Sequence, residues 1–181
     1  MVDHLRILDE VIDEHKDHTK WDETRFEKIK RLSNTLVGSI GQKFTERLCA
    51  SLEIPCEFPA NLQGRRSTQN PWDVKISQID FELKTAIEDI SGNFQFNHIR
   101  YHRTYDALLC LGISPDTVRY DMWTKAEVTT GQAGNLVSME RQANASYKLT
   151  KRAVQLKEFA QFYDDLIELA ANLEVSRRRL N

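Results

Sequence analysis

The chain has no run of about 18 apolar residues, the least that a membrane-crossing helix needs, and its composition is only 40% hydrophobic. Its opening residues, MVDHLRILDEVIDEHK, are too acidic for a secretory signal or a transit peptide, so a cytoplasmic protein is expected. Cysteine is scarce. Cys49, Cys56 and Cys110 form no Cys-x-x-Cys pair, and an odd count suits reduced, buried thiols better than a disulfide framework. There is no internal repeat or low-complexity segment, and no large charge excess. A net charge of -2 argues against indiscriminate binding of nucleic acid through bulk charge. The charge is nevertheless uneven: residues 31–152 carry 15 basic and 13 acidic residues, whereas residues 1–30 carry 6 and 9. A DNA-facing surface in the middle of the chain is compatible with that distribution. With 181 residues the chain fits one domain with one core.

What is present centres on residues 71–86, PWDVKISQIDFELKTA. Trp72, Val74 and Ile76 alternate with Asp73 and Lys75, and Ile79, Phe81 and Leu83 alternate with Asp80, Glu82 and Lys84. Period-2 alternation is the signature of half-buried strands, so the stretch reads as a hairpin turning near Ser77-Gln78. If Ile76 pairs with Ile79, Lys75 faces Asp80, Val74 faces Phe81, and Asp73 faces Glu82. Directly opposed like charges destabilise a sheet unless a cation offsets them. Lys84 emerges on the same face as Glu82, about 7 Å further along the strand. Ser77 and Gln78 are not residue types that favour positive φ, which points to a longer loop whose symmetric lengthening keeps Asp73 opposite Glu82.

Elsewhere, residues 3–18 place Leu5, Leu8, Val11 and Ile12 at helical spacing, and Trp21, Phe26, Ile29, Leu32 and Leu36 continue a helical period, with Asp22 a candidate N-cap and Ser33-Asn34 or Gly38 a candidate interruption. From Ser39 to Leu52 the stripe Ile40, Phe44, Leu48, Leu52 predicts a packed helix, with Glu46 half a turn away and able to look into a cleft. Residues 59–72 read as an exposed loop whose Arg65 and Arg66 are candidate phosphate clamps. The next segment, SGNFQFNHIRYHRTYD, is expected to form a short helix mixing aromatics with Gln95, Asn97, His98, Arg100 and Arg103. Amides suit adenine edges and guanidinium groups suit guanine, although phosphate contacts or plain solvation would use the same side chains. ALLCLGI, residues 107–113, predicts a central strand buried on both faces and paired in parallel. Residues 118–123 suggest another strand, Thr124 caps a short helix, GQAGNLVSMERQANA reads as a loop, and SYKLT as a strand. A helix of about 20 residues closes the chain from Val154 to Leu173.

The ordered set Asp73, Glu82-Leu83-Lys84, preceded by Glu46 and followed by FNHIR and the buried strand YDALLCLGISPD, resembles the PD-(D/E)XK nuclease superfamily, most closely type II restriction endonucleases. The likeness covers residues 36–150. It departs from the family pattern where Trp72 separates Pro71 from Asp73, and Asp80 is a rival for the first acidic position. The resemblance implies a restriction-endonuclease-like α/β (α+β) fold, with a mixed central sheet of about four to six strands flanked by helices. A helical appendage over 1–34, a core over 35–152 and a C-terminal helix over 153–176 would complete it. It also implies a Mg2+-dependent deoxyribonuclease, with Mn2+ as substitute. Asp73 and Glu82 would hold the metal, Lys84 would act on the attacking water, and Glu46 would serve as an auxiliary catalytic carboxylate. Double-stranded DNA, a homodimeric partner and a cognate DNA methyltransferase encoded nearby would accompany such an enzyme. The rivals are a structure-selective or repair nuclease of the same superfamily, and a silent nuclease-like module that binds DNA or protein.

Overall fold

The computed structural model describes residues 4–14, 20–60, 70–100, 102–141 and 145–179. In chain order come α1 (His4–Glu14), a 3-10 turn (Glu27–Arg31), α2 (Asn34–Ser51), β1 (Cys56–Glu57), β2 (Val74–Ile76), β3 (Ile79–Ile87) and β4 (Asn93–Ile99). There follow β5 (Ala107–Ile113), β6 (Val118–Thr124), α3 (Lys125–Thr129), β7 (Leu136–Ser138), β8 (Tyr147–Arg152), β9 (Lys157–Glu158) and α4 (Phe162–Arg179). The strands form a mixed six-stranded sheet, ordered β1-β2-β3-β5-β6-β9, and a second sheet, β4-β8-β7. With four α-helices among the described residues, the chain is of mixed α/β, α+β class. None of the described helices is long and apolar enough to cross a membrane.

The continuous apolar run of β5 makes sense once its neighbours are placed. It pairs in parallel with β3, Phe81 opposite Ala107 through Ile87 opposite Ile113, and antiparallel with β6 on its other side. All seven of its residues are buried. One face of the large sheet, with Phe81, Leu83, Leu109 and Tyr120, packs against Phe162, Leu166 and Leu169 of α4. The other face, with Ala86, Leu108, Cys110 and Trp123, packs against Phe94, Phe96 and Leu149 of the small sheet. Each fully buried side chain of this size contributes about 1.5–3 kcal/mol. The side of β3 that carries Glu82 is therefore roofed by the second sheet rather than open to water.

The β2–β3 hairpin has the expected register, Val74 opposite Phe81, Lys75 opposite Asp80 and Ile76 opposite Ile79. Its loop is shorter than expected. Ser77 and Gln78 alone make the turn, both at positive φ (48° and 71°), which is the two-residue geometry whose twist matches the strands. The Ser77 N–H donates to the Pro55 carbonyl at 3.0 Å, which ties the turn to the start of β1.

Five segments differ from the sequence expectation. Residues 20–33, read as helical from Asp22, form turns and the 3-10 helix Glu27–Arg31 instead. Residues 93–99 are a strand, not a helix, because Phe94 and Phe96 alternate with Gln95 and Asn97 and pair with β8. A bulge follows, with His98 at φ 58°, and returns Ile99 to the core. α2 starts at Asn34 rather than Ser39: the Ser33 hydroxyl accepts from the Leu36 N–H, and Gly38 does not interrupt the helix. It buries Val37, Gly41, Thr45 and Cys49, and of the predicted stripe Phe44 and Leu48 pack partly against the core while Ile40 and Leu52 stay exposed. Gly41 explains the choice. A Cβ there would lie 1.8 Å from Thr85 Oγ1, so its absence lets α2 approach β3 closely on its small-residue face. Residues 153–161 form 3-10 turns and β9, so the terminal helix begins only at Phe162, and the loop before β8 contains the short strand β7. Thr124 does cap α3, in a capping box with Glu127.

Candidate functional site

The backbone of β3 is held on both sides, by β2 and by β5, and so fixes where its side chains emerge. Glu82 emerges toward the second sheet and is 0% exposed. Asp73 lies one residue beyond the β2 ladder. Its N–H donates to the Phe81 carbonyl at 2.8 Å, and its Oδ2 accepts from the Leu83 N–H at 3.0 Å. Lys84 Nζ stands 2.6 Å from Glu82 Oε1 and 3.9 Å from Asp73 Oδ2, so one ammonium serves both carboxylates. Lys84 is the partner of Glu82 Oε1 at ion-pair distance, and no further donor among the described residues reaches either Glu82 oxygen. Burial pushes the Glu82 carboxyl above the usual carboxylate range, Lys84 draws it back, and the negative charge of Asp73 pushes it up again. Of the three side chains only Glu82 is wholly buried; Lys84 and Asp73 keep some contact with water.

Asp80, the rival acid, turns to Lys75 across the hairpin at 3.4 Å. Its backbone is held by Asp106, whose N–H donates to the Asp80 carbonyl and whose Oδ2 accepts from the Asp80 N–H. Arg177 of α4 grips the other Asp106 oxygen at 2.7 Å. Sequence reasoning gave no role to Asp106, Tyr105 or Lys125. The buried Tyr105 hydroxyl has no hydrogen-bond partner among the described residues, and burial followed by the charge of Glu82 makes it less acidic, which sets the ring beside the carboxylates. Lys125 Nζ sits 5.0 Å from the centre of that ring and donates to the Arg103 carbonyl. The Arg103 guanidinium reaches the Asn70 carbonyl at 3.1 Å, and its charge also favours ionised Glu82. The available signal was the string RTYD immediately before a fully apolar strand, where polar residues end up at the strand mouth.

A cleft of 360 Å³ opens beside Lys84, lined also by Asn34, Asp89, Gln95, Asn97 and His98. Three of the residues singled out for DNA contact thus share a wall with Lys84, although on a strand rather than a helix. His98 also faces Ser146 Oγ through Nδ1, at 3.2 Å. Arg100 lies apart, near Glu140, whose carboxyl is held below the usual range first by the Ser146 hydroxyl and N–H and further by the Arg100 charge. Glu46 is half-buried on α2 and pairs with Lys43 at 2.8 Å. Arg65 and Arg66 lie outside the described residues. No group of three or more His, Cys, Asp or Glu able to hold a metal occurs among the described residues. Asp73 and Glu82 alone fit a hard cation that keeps several waters, as Mg2+ does, and the Glu82 oxygens, which no donor but Lys84 reaches among the described residues, suit one. Comparisons with protein-family models, curated proteins and solved structures found no match.

Proposed function

We propose that this chain is a Mg2+-dependent endonuclease of the PD-(D/E)XK type, which hydrolyses phosphodiester bonds of double-stranded DNA at specific sequences as type II restriction enzymes do. The observation that carries the reading is Glu82: a wholly buried carboxylate whose Lys84 partner is shared with Asp73. Burying charges is costly even when they are paired, so an acid pair around one lysine with Glu82 wholly buried points to a use. Asp73 and Glu82 would hold Mg2+, or Mn2+ in its place. When bound, the metal supplies a more acidic water and offsets charge building on the phosphate.

The chain's own residues do the rest. Lys84 presents its ammonium to a non-bridging phosphate oxygen and orients the attacking water in line with the leaving 3′ oxygen. A water-oxygen-to-phosphorus bond forms and the bond from phosphorus to the 3′ oxygen breaks. The water loses a proton, the departing oxygen gains one, and the ends carry 5′-phosphate and 3′-hydroxyl. Arg103 and Lys125 add positive charge at the strand mouth, and Gln95 and Asn97 supply amide groups to read bases beside the scissile step. A homodimer would match a two-fold symmetric site, and a cognate methyltransferase encoded nearby would protect the host's own sites.

The test is incubation with Mg2+ and long unmethylated DNA. Discrete fragments are expected, abolished by Glu82→Gln and slowed by at least about 100-fold in Lys84→Met. A wild-type protein inert with both Mg2+ and Mn2+ would sink the proposal. A smear, or cutting confined to junctions and flaps, would replace sequence-specific cleavage with structure-selective cleavage.

A further inference from the structure

The predicted core stripe of α2 enters the core only in part, through Phe44 and Leu48, and its outer edge lines an open groove. Ile40 and Phe44 sit between two adjoining hollows. One, of 390 Å³, is floored by Phe26, Ile29, Leu32 and Leu111 and edged by Arg25 and Lys28. The other, of 500 Å³, continues along α2 past Leu48 to Ser51 and is edged by Arg47 and by Lys43, which also reaches Glu46. Ile40 is 37% exposed in a helix whose sequence pattern asks for burial at that position. From Ile40 to Ser51 the helix runs about 17 Å.

α1 matches this groove in length, chemistry and charge. Its 11 residues span about 16 Å. Leu5 and Leu8, three residues apart and therefore on one face, are 66% and 55% exposed, and Ile7 beside them is 45% exposed. The segment carries Asp9, Glu10, Asp13 and Glu14 against a single Arg6, whereas residues 25–31 carry Arg25, Lys28, Lys30 and Arg31 against a single Glu27. An acidic amphipathic helix and a basic-rimmed apolar groove thus exist in one chain. Among the described residues, Leu5, Leu8 and Ile40 all remain exposed.

We infer that α1 of one copy lies in the α2 groove of a second copy, the two exchanging helices in a two-fold symmetric dimer. Exchange buries Leu5 and Leu8 over Ile40 and Phe44, as amphipathic helices do in apolar grooves, and sets acidic residues along the basic rim. It is independent of the chemistry at Glu82, so it stands or falls separately from nuclease activity.

Light scattering during gel filtration of the full chain tests it. Wild type is expected to run as a dimer. Leu5→Asp/Leu8→Asp and, separately, Ile40→Asp are expected to raise the dissociation constant at least about 100-fold and run as monomers. All three positions are exposed, so unchanged circular dichroism will show that the variants fold. The decisive sample is an equimolar mixture of the two variants, because an intact helix on one chain can meet an intact groove on the other and dimers return at raised concentration. A monomeric wild type, a dimer unmoved by either variant, or a mixture that stays monomeric would each overturn the inference; the first or last would result if α1 closed over its own groove.

Discussion

Replacing Lys84 by Met keeps the apolar stem of the side chain and deletes the ammonium that stands 2.6 Å from a wholly buried carboxylate. Removing one partner of a buried ion pair costs about 3–5 kcal/mol, because the other charge is left without compensation. Lys84 is itself 17% exposed, so some water can replace it, and the lower end, about 3 kcal/mol, is expected. In urea this lowers the unfolding midpoint by about 1–2 M, followed by fluorescence of the buried Trp21 and Trp123. Glu82→Gln removes the charge that makes Lys84 necessary, and its effect should stay within about 1 kcal/mol. The double variant should therefore recover most of the loss, a coupling of about 2 kcal/mol between neighbours. Mg2+ at about 100 times its dissociation constant should restore about 2.7 kcal/mol to Lys84→Met and nothing to the double variant. A Lys84→Met protein within about 0.5 kcal/mol of wild type would show that water reaches Glu82 and that the buried-charge reasoning is wrong.

Three further outcomes follow from particular contacts. Ser77→Asn with Gln78→Gly should raise stability by about 1 kcal/mol, since both residues sit at positive φ where L side chains are strained and the N–H bond to Pro55 is kept; an unchanged urea midpoint would count against the two-residue turn. Gly41→Ala should lower stability by about 1–2 kcal/mol despite the better helix propensity of alanine, because its methyl would overlap the Thr85 side chain; thermal unfolding measures it. Burial pushes Asp121 up to about 6, so the folded chain retains a proton that the unfolded chain releases above about pH 4. Stability should therefore fall by roughly 2–3 kcal/mol as pH rises from 4 to 6, and Asp121→Asn should remove that fall.

The parts of the fold that could be read from sequence are those in which one face, or both, had a single possible fate. ALLCLGI has no polar side chain to offer water, and the alternation around Phe81 fixes which side chains of the hairpin meet; both patterns match the structure. The register followed from turn position alone, because each pair in an antiparallel ladder determines the next. Misreadings came where two patterns competed. Phe94 and Phe96 lie two apart, as in a strand, but dense aromatics and amides also suit a helix, and only pairing with β8 decides. α2 offered a large apolar stripe and a small-residue stripe one position away, and close approach at Gly41 favoured the small one. Asp73, Glu82 and Lys84 could be grouped from spacing, whereas Tyr105 and Lys125 come beside them through a parallel crossover that leaves no local trace.

Glu82 and Lys84 contribute nothing to the ladder that holds them, because their backbone groups bond to the neighbouring strands whatever side chains they bear. A descendant with apolar residues at both positions would keep β3 between β2 and β5, and would shed a buried ion pair as well. Drift at this site is therefore downhill in folding terms, and only selection for what the pair does can hold it in place. Among relatives, the same backbone should recur with the pair intact or with both charges gone, and seldom with one alone.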